Sequence, residues 1–297
     1  YSITYESPEG KDFQNEITEK FREYTLIFST YEKEATISKI NDNIPVKPEP
    51  EFMTCFNRAM EISEITNGAF DITAGPMVNA WGFGPEKKKH LSREQIDSLI
   101  KITGFQKIHI ENGQIVKDNP NMKLDMSAIS KGYTSDLIAG FLAKKGCKNY
   151  MVEIGGEVAA KGKNEHGNFW SIGISKPDED LSVSNSELEA VIQLPDHALA
   201  TSGNYRNFYI EDGKKYAHTI DPKTGYPVQH SLLSSTVLAN DCMTADAFAT
   251  AFMVLGVEQG IEIARSTPGI EVFFVYADEN GNNQIYMSDG FGQYVKE

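Results

Sequence analysis

Sulfur, positive charge and phosphate-binding signatures are what this sequence is short of. Its three cysteines, Cys55, Cys147 and Cys242, are odd in number and far apart. That excludes a disulfide framework and a thiolate metal site, and leaves the redox compartment open. Lys and Arg number 28 against 42 Asp and Glu, a net charge of -14, and a surface of that sign argues against nucleic acid and anionic membranes as partners. No apolar run reads as long enough to span a bilayer. There is no P-loop, no dinucleotide glycine fingerprint, no serine-centred elbow and no HExxH zinc motif. Repeats and low-complexity tracts are absent as well. An acidic chain of this kind holds a phosphate only with help from a divalent cation, backbone amides or a few placed lysines.

What is present is an ordinary globular composition, 40% hydrophobic and 24% charged over 297 residues, enough for one large domain or two joined subdomains. The first residue is Tyr1, not methionine, so a processed or trimmed N-terminus is expected, with any export signal out of view. The organising stretch is residues 240–256, NDCMTADAFATAFMVLG. From Asp246 it reads as a helix apolar almost all round, hence buried. Asp246 and Thr250 stand four apart on one face, with Phe248, Phe252 and Leu255 roughly opposite. A buried carboxylate must be paired, protonated or metal-bound. The competing explanation is capping, with Thr244 as N-cap and Asp246 in the first turn.

Elsewhere the chain alternates strands and helices. Residues 1–7 and 123–126 read as short strands, residues 13–28 and 51–66 as helices, and residues 29–41 as a plain surface turn. Residues 68–85, crowded with glycine, proline, Trp81 and Phe83, suit either a packed structural loop or a wall for a flat ligand. Ser92 and Gln95 are spaced as a capping box for a helix over 92–102, and Asn112-Gly113 turns a hairpin over 107–115. A helix is expected from near Ser130, with Leu137, Ile138, Phe141 and Leu142 inward; Asp125 precedes it, and Lys131 in its first turn opposes the dipole preference. Strands follow at 150–161 (broken by Gly-Gly), 169–175 and 191–203, with a solvated loop over 177–187. Residues 205–227 form a hairpin about Asp212-Gly213 and a tight turn at 221–225, with His218 leading in. A segment at 260–265, a strand at 271–276 and a closing hairpin at Gly281-Asn282 end the chain. The fold class expected is α/β (α+β), with mixed sheets flanked by helices in two intimately joined subdomains of one domain spanning residues 1–297.

Singly these signals are weak; their order is specific. STYEKEATISKIN, GAFDITAGPMVNAWGFG, LDMSAISKGYTSD, EIGGEV, ALATSGNY, HTIDPKTGYP and ADAFATAFMVLG together resemble the ApbE family of FAD:protein FMN transferases, over residues 29–256. The resemblance implies binding of FAD and Mg2+-dependent transfer of its FMN half to a threonine hydroxyl of an acceptor protein, with release of AMP. It also implies export, often with a lipid anchor on the periplasmic side of the inner membrane, and acceptors among flavin-carrying subunits of respiratory redox pumps. Carried over by motif, Ala128 (through its carbonyl), Asp246 and Thr250 surround the metal. Tyr31, Ala69, Phe70, Asp71, Asp125, Lys131 and Ile220 line the FAD, and His218 is the expected catalytic base beside the metal-binding Asp246. Two positions depart from the pattern. Ala249 stands where some relatives carry a further carboxylate, which leaves the ligand count open, and Ser130 replaces a small apolar residue. Mg2+ prefers hard oxygens and keeps positions for water and phosphate, which suits one carboxylate, one hydroxyl and one carbonyl. The alternatives are an FAD pyrophosphatase that releases FMN and AMP, and a non-catalytic FAD-binding protein.

Overall fold

Strand and helix periodicity is realised in the following order: β1 (Ser2–Tyr5), α1 (Gln14–Phe28), α2 (Thr36–Asn41), α3 (Pro50–Ile65), α4 (Gly75–Ala80), α5 (Arg93–Ile102), β2 (Ile108–Glu111), β3 (Gln114–Lys117), α6 (Ser127–Lys144), β4 (Tyr150–Ile154), β5 (Glu157–Lys161), β6 (Trp170–Ser175), β7 (Leu188–Leu194), β8 (Ala198–Gly203), β9 (Phe208–Glu211), β10 (Lys214–Ala217), β11 (Leu232–Ala239), α7 (Cys242–Ser266), β12 (Ile270–Ala277) and β13 (Asn283–Met287). The computed structural model describes residues 1–83, 91–177, 188–204, 208–211, 214–217 and 219–296. The expected loop over 177–187 and the Asp212-Gly213 turn therefore lie outside the described residues, apart from Pro177. The chain divides into two compact units, one of Tyr1–Ile17, Lys131–Asn207 and His230–Glu297, the other of Thr18–Ser130 and Phe208–Gln229.

The first unit is built on a seven-stranded sheet in the order β1-β4-β5-β8-β11-β12-β13. The α/β layering is as expected; each pairing described, however, is antiparallel. Strand β11 pairs with both β8 and β12 and is buried along almost its whole length. Its sequence, LLSSTVLA, has no alternation because both faces are covered, which is why periodicity did not reveal it. On β12 the neighbours Phe273 and Phe274 point to opposite faces. Phe274 meets Phe252 of α7 edge-on with centroids 5.4 Å apart. Phe273 lies 5.6 Å from Phe291 and joins Trp170, Ile174, Ile192 and Leu194 of the β6–β7 ribbon in a second apolar layer. Helix and ribbon thus sandwich the sheet.

Helix α7 runs past the expected end at Gly256 to Ser266, with a break at Gly256, whose φ is 78°. Up to Met253 it is buried nearly all round, Phe248 and Phe252 completely; each such ring contributes ~1.5–3 kcal/mol of burial. Beyond the break only Gly260 and Ala264 are buried, the four-residue stripe of an ordinary amphipathic helix. His230 Nε2 lies 2.8 Å from Met253 O, taking up a carbonyl of the turn before the break, where the regular amide partner is lost. By length and composition α7 does suffice to cross a bilayer, contrary to the reading of the sequence, but much of it is buried inside the protein, as befits a core helix.

In the second unit α3 ends where expected: Asn67 and Gly68 adopt positive φ and Gly68 N returns to Ser63 O at 2.7 Å. Stacked Phe28, Phe52 and Phe56 fill its inner side. The Ser92–Gln95 capping box forms on α5, and Asn112-Gly113, both at positive φ, close β2–β3. Two expectations fail here. Residues 29–41 are not a surface turn, since α2 lies within them and Thr36, Ile37, Ser38, Ile40 and Asn41 are buried. Residues 123–126 form no strand; they are held in extended register by a side chain instead, Asn41 bonding to both Leu124 O (2.9 Å) and Leu124 N (2.6 Å).

Candidate active site

In the first unit, Lys131 and Gly132 of α6, Glu157 of β5 and Asp246 of α7 converge. Glycine at 132 is required by this approach: a Cβ there would sit 2.3 Å from Cys242 O and 2.8 Å from Asp246 Cβ. Gly132 N donates to Asp246 Oδ2 at 2.9 Å. Lys131 Nζ donates to Glu157 Oε1 and stands 3.5 Å from Asp246 Oδ1. Asp246 is 2% exposed and Glu157 4%, so two buried acids share one ammonium. The fourth oxygen, Glu157 Oε2, is buried with no hydrogen-bond partner. The Gly155-Gly156 turn, both residues at positive φ, folds over the pair; a Cβ on Gly155 would lie 3.1 Å from Glu157 Oε2 and 3.4 Å from Lys131 Cδ.

Burial pushes Glu157 up to about 7, reinforced by the charge of Asp246 and opposed by Lys131. Burial also raises Asp246, against the pull of Lys131 and the Gly132 amide. Burial works against the charge on Lys131, but the two acids outweigh it and hold its pKa above the ordinary lysine value. Thr250, one turn beyond Asp246 on the same face, has Oγ1 at 3.2 Å from Ser202 Oγ. The helix start itself is tied down by carboxylates. Asp136 of α6 accepts from Cys242 N and Met243 N, each at 2.8 Å, and Asp241 accepts from Thr244 N at 2.7 Å. Asp241, not Thr244, is therefore the N-cap. Asp246 falls beyond the first turn, so capping does not account for it.

The buried acid expected to need a dication thus already has partners within the chain, Lys131 and the Gly132 amide; the oxygen without one belongs to Glu157, which sequence reasoning passed over. Helix α6 starts at Ser127, three residues before the expected start, so Lys131 lies in its second turn and the dipole argument for it lapses. Among the described residues no three His, Cys, Asp or Glu form a metal-ligating group. Asp246 and Thr250 are hard-oxygen donors of the kind Mg2+ takes, and their small number fits a cation completed by water and phosphate.

In the second unit, Asp125 N bonds to Ile72 O at 2.8 Å, which sets Asp125 beside the run Ala69, Phe70, Asp71. Ala69 and Phe70 are buried. Asp71 is pushed up by burial, and its oxygens accept from Thr73 N (2.8 Å), Thr73 Oγ1 (2.6 Å) and Phe105 N (2.9 Å). Asp125 Oδ1 accepts from Ser127 N at 2.9 Å. Ile220 is buried and bridges to Pro227, across a turn closed by Gly225 N to Asp221 O at 2.8 Å. Trp81 donates from Nε1 to Gly225 O at 2.8 Å and meets Tyr226 at 5.9 Å, so this aromatic of the stretch 68–85 packs on the turn, and within the stretch expected to be irregular lies α4. Tyr31 is 72% exposed. His218 lies outside the described residues.

The fold and the site define a class: a two-unit α/β protein whose sheet and long core helix hold a buried acid–lysine–acid cluster. The profile of the ApbE family matches residues 1–274, and the chain belongs to that family. It is 37% identical to the FAD:protein FMN transferase of Vibrio cholerae serotype O1, covering 100% of this chain and 90% of that protein. With the FAD:protein FMN transferase of Haemophilus influenzae it shares 40% identity, over 90% of this chain and 79% of the relative. Among solved structures, the flavin transferase ApbE from Vibrio cholerae superposes with a TM-score of 0.88 at 38% identity, over 98% of this chain and 94% of that one. The ApbE protein from Thermotoga maritima gives 0.86 at 29% identity, over 99% and 94%.

Proposed function

We propose that this protein is an enzyme that transfers the FMN moiety of FAD to an acceptor protein, as the names of its FAD:protein FMN transferase relatives indicate. The observation that carries the reading is the buried cluster of Lys131, Glu157 and Asp246, set in a family-wide match. In the finer form of the proposal the acceptor atom is a threonine hydroxyl, AMP is released, and Mg2+ is required. Asp246, Thr250 and the Ala128 carbonyl would hold the ion, which when bound neutralises charge on the pyrophosphate oxygens. Lys131 adds a positive charge for the anionic substrate. The Ala69–Asp71 run, Asp125, Tyr31 and Ile220 contact the flavin nucleotide, and His218 accepts the hydroxyl proton. An acceptor among respiratory redox-pump subunits and a lipid-anchored, periplasmic placement belong to the same proposal and rest on family resemblance.

The test is mass spectrometry of a threonine-bearing acceptor incubated with FAD and Mg2+. The expected result is an acceptor heavier by one FMN and stoichiometric AMP, both lost on chelation of the metal. His218→Ala should still bind FAD, judged by flavin fluorescence, but turn over at least about 100-fold more slowly. Many turnovers of FMN and AMP without acceptor would instead identify a pyrophosphatase, and intact FAD in the presence of metal and acceptor would identify a binding protein.

A further inference from the structure

Two acids and one ammonium meet in the cluster, and their division is unequal. Lys131 Nζ is hydrogen-bonded to Glu157 Oε1, whereas Asp246 Oδ1 at 3.5 Å lies beyond the usual range of a good N–H···O bond. Glu157 is rigidly placed. Its strand pairs back on β4, with Ile154 opposite it, its carbonyl lies 3.2 Å from Ser135 Oγ, and the Gly155 turn closes above its carboxylate. Asp246 is equally fixed, in the buried half of α7. Lys131 is the movable member: its side chain is 44% exposed on a stem of four rotatable bonds.

From this geometry we infer that Glu157 is a positioning residue: by hydrogen-bonding the Lys131 ammonium it limits that ammonium to a looser 3.5 Å ion pair with Asp246 and keeps it from closing fully on the Asp246 carboxylate, which thereby stays accessible to a divalent cation. The inference rests on the reading of Asp246 as a metal-binding acid and assigns to Glu157 a task of its own. Without the Glu157 charge, Asp246 is, among the described residues, the remaining buried acid paired with Lys131. A buried carboxylate strongly favours its nearest counter-ion, so the lysine closes on Oδ1, and a cation must then displace an ammonium to enter. Partners that orient metal ligands from outside the coordination sphere change metal affinity by about 10- to 100-fold when lost.

The experiment is a titration of the full chain, free of FAD, with Mn2+ followed by water-proton relaxation, alone and with saturating ADP as a pyrophosphate carrier. Wild type, Glu157→Gln, Lys131→Met and the double variant are compared. Glu157→Gln is expected to bind Mn2+ at least about tenfold more weakly. The double variant is expected to regain most of that loss, since no ammonium remains to swing inward; a merely structural role for Glu157 would leave both variants equally impaired. Mn2+ affinity in Glu157→Gln within about twofold of wild type, or a double variant as weak as the single one, overturns the inference. Should Glu157→Gln fail to fold, Glu157→Asp, whose shorter reach draws the ammonium less, is expected to show a smaller loss that Lys131→Met again relieves; no loss, or no relief, overturns the inference equally. A wild-type chain that binds Mn2+ under neither condition removes the metal reading of Asp246 itself and this inference with it, an outcome distinct from failure of the positioning role.

Discussion

Asp71 in one unit and the Asp246–Glu157 pair in the other are carboxylates that burial raises, the first half-buried and the pair fully buried, yet they are satisfied in opposite ways. Asp71 is closed by neutral donors: an amide and a hydroxyl on one oxygen, an amide on the other. Thr73 Oγ1 in turn accepts from Gly104 N at 2.7 Å. That arrangement fixes a loop and leaves neither oxygen without a donor. The pair of acids has one amide and one ammonium for four oxygens, with Glu157 Oε2 unprovided for. Saturation by neutral groups is the mark of architecture; a shortfall of donors around buried charge is where a protein awaits a ligand.

The contrast breaks most readily at Asp246. Asp246→Ala should lower FMN transfer by a factor of about 1000 or more, on the order of 4 kcal/mol of transition-state stabilisation, while Lys131 and Glu157 keep each other paired and the thermal transition survives. Undiminished acceptor labelling by that variant would remove Asp246 from the chemistry. Gly132→Ala comes next. Its methyl group would collide with Cys242 O and Asp246 Cβ, so a loss of about 1–3 kcal/mol or more is expected by urea unfolding. Gly140→Ala on the same helix meets nothing within 4 Å and should stabilise by about 0.5–1 kcal/mol. Equal effects at the two glycines would refute the close-approach argument.

Asp71→Asn should cost about 1–2 kcal/mol of stability, because one donor loses its acceptor, and should slow transfer far less than Asp246→Ala does; a larger catalytic than structural loss would place Asp71 with the other acids. The smallest effect concerns Asp136, raised from 3.8 to about 7 by burial against the pull of the Cys242 and Met243 amides. Between those pH values the folded chain keeps a proton that the unfolded chain has released, so the stabilising contribution is present at low pH and is lost as pH rises through 7. The slope from this one group is at most about 1.4 kcal/mol per pH unit. Urea unfolding at pH 6 and 7.5 should show wild type losing about 1 kcal/mol more than Asp136→Asn; equal losses would assign the pH dependence elsewhere, Glu157 included.

Much of this architecture is legible in the sequence wherever the cause is local. The capping box of α5, the Asn112-Gly113 hairpin and the stop of α3 each depend on a few adjacent residues, and the four-residue spacing of Asp246 and Thr250 gives their shared face directly. What escapes is what distant packing decides. Strand β11 is a central strand made partly of Ser234, Ser235 and Thr236, all buried, and its composition reads as a loop. Asn41 looks like a surface residue and is buried against Leu124, 83 residues away. Glu157 is the instructive miss. A glutamate on a strand is ordinarily a solvent-facing residue, but β5 is buried from Glu157 through Ala160, and the run Val158-Ala159-Ala160 after it was the available sign that neither face of that strand meets water.

The break at Gly256 divides α7 into two mechanical parts. Its first half carries Asp246 and Thr250 within the core, and the joint is sealed by His230, from the bend just before β11, against the Met253 carbonyl. Fraying that begins at Ser266 therefore meets a firebreak before it reaches the acid. Deuterium uptake should be rapid in the distal rod and slow across residues 242–253, so that the reactive end stays in register while the tail of the same helix breathes.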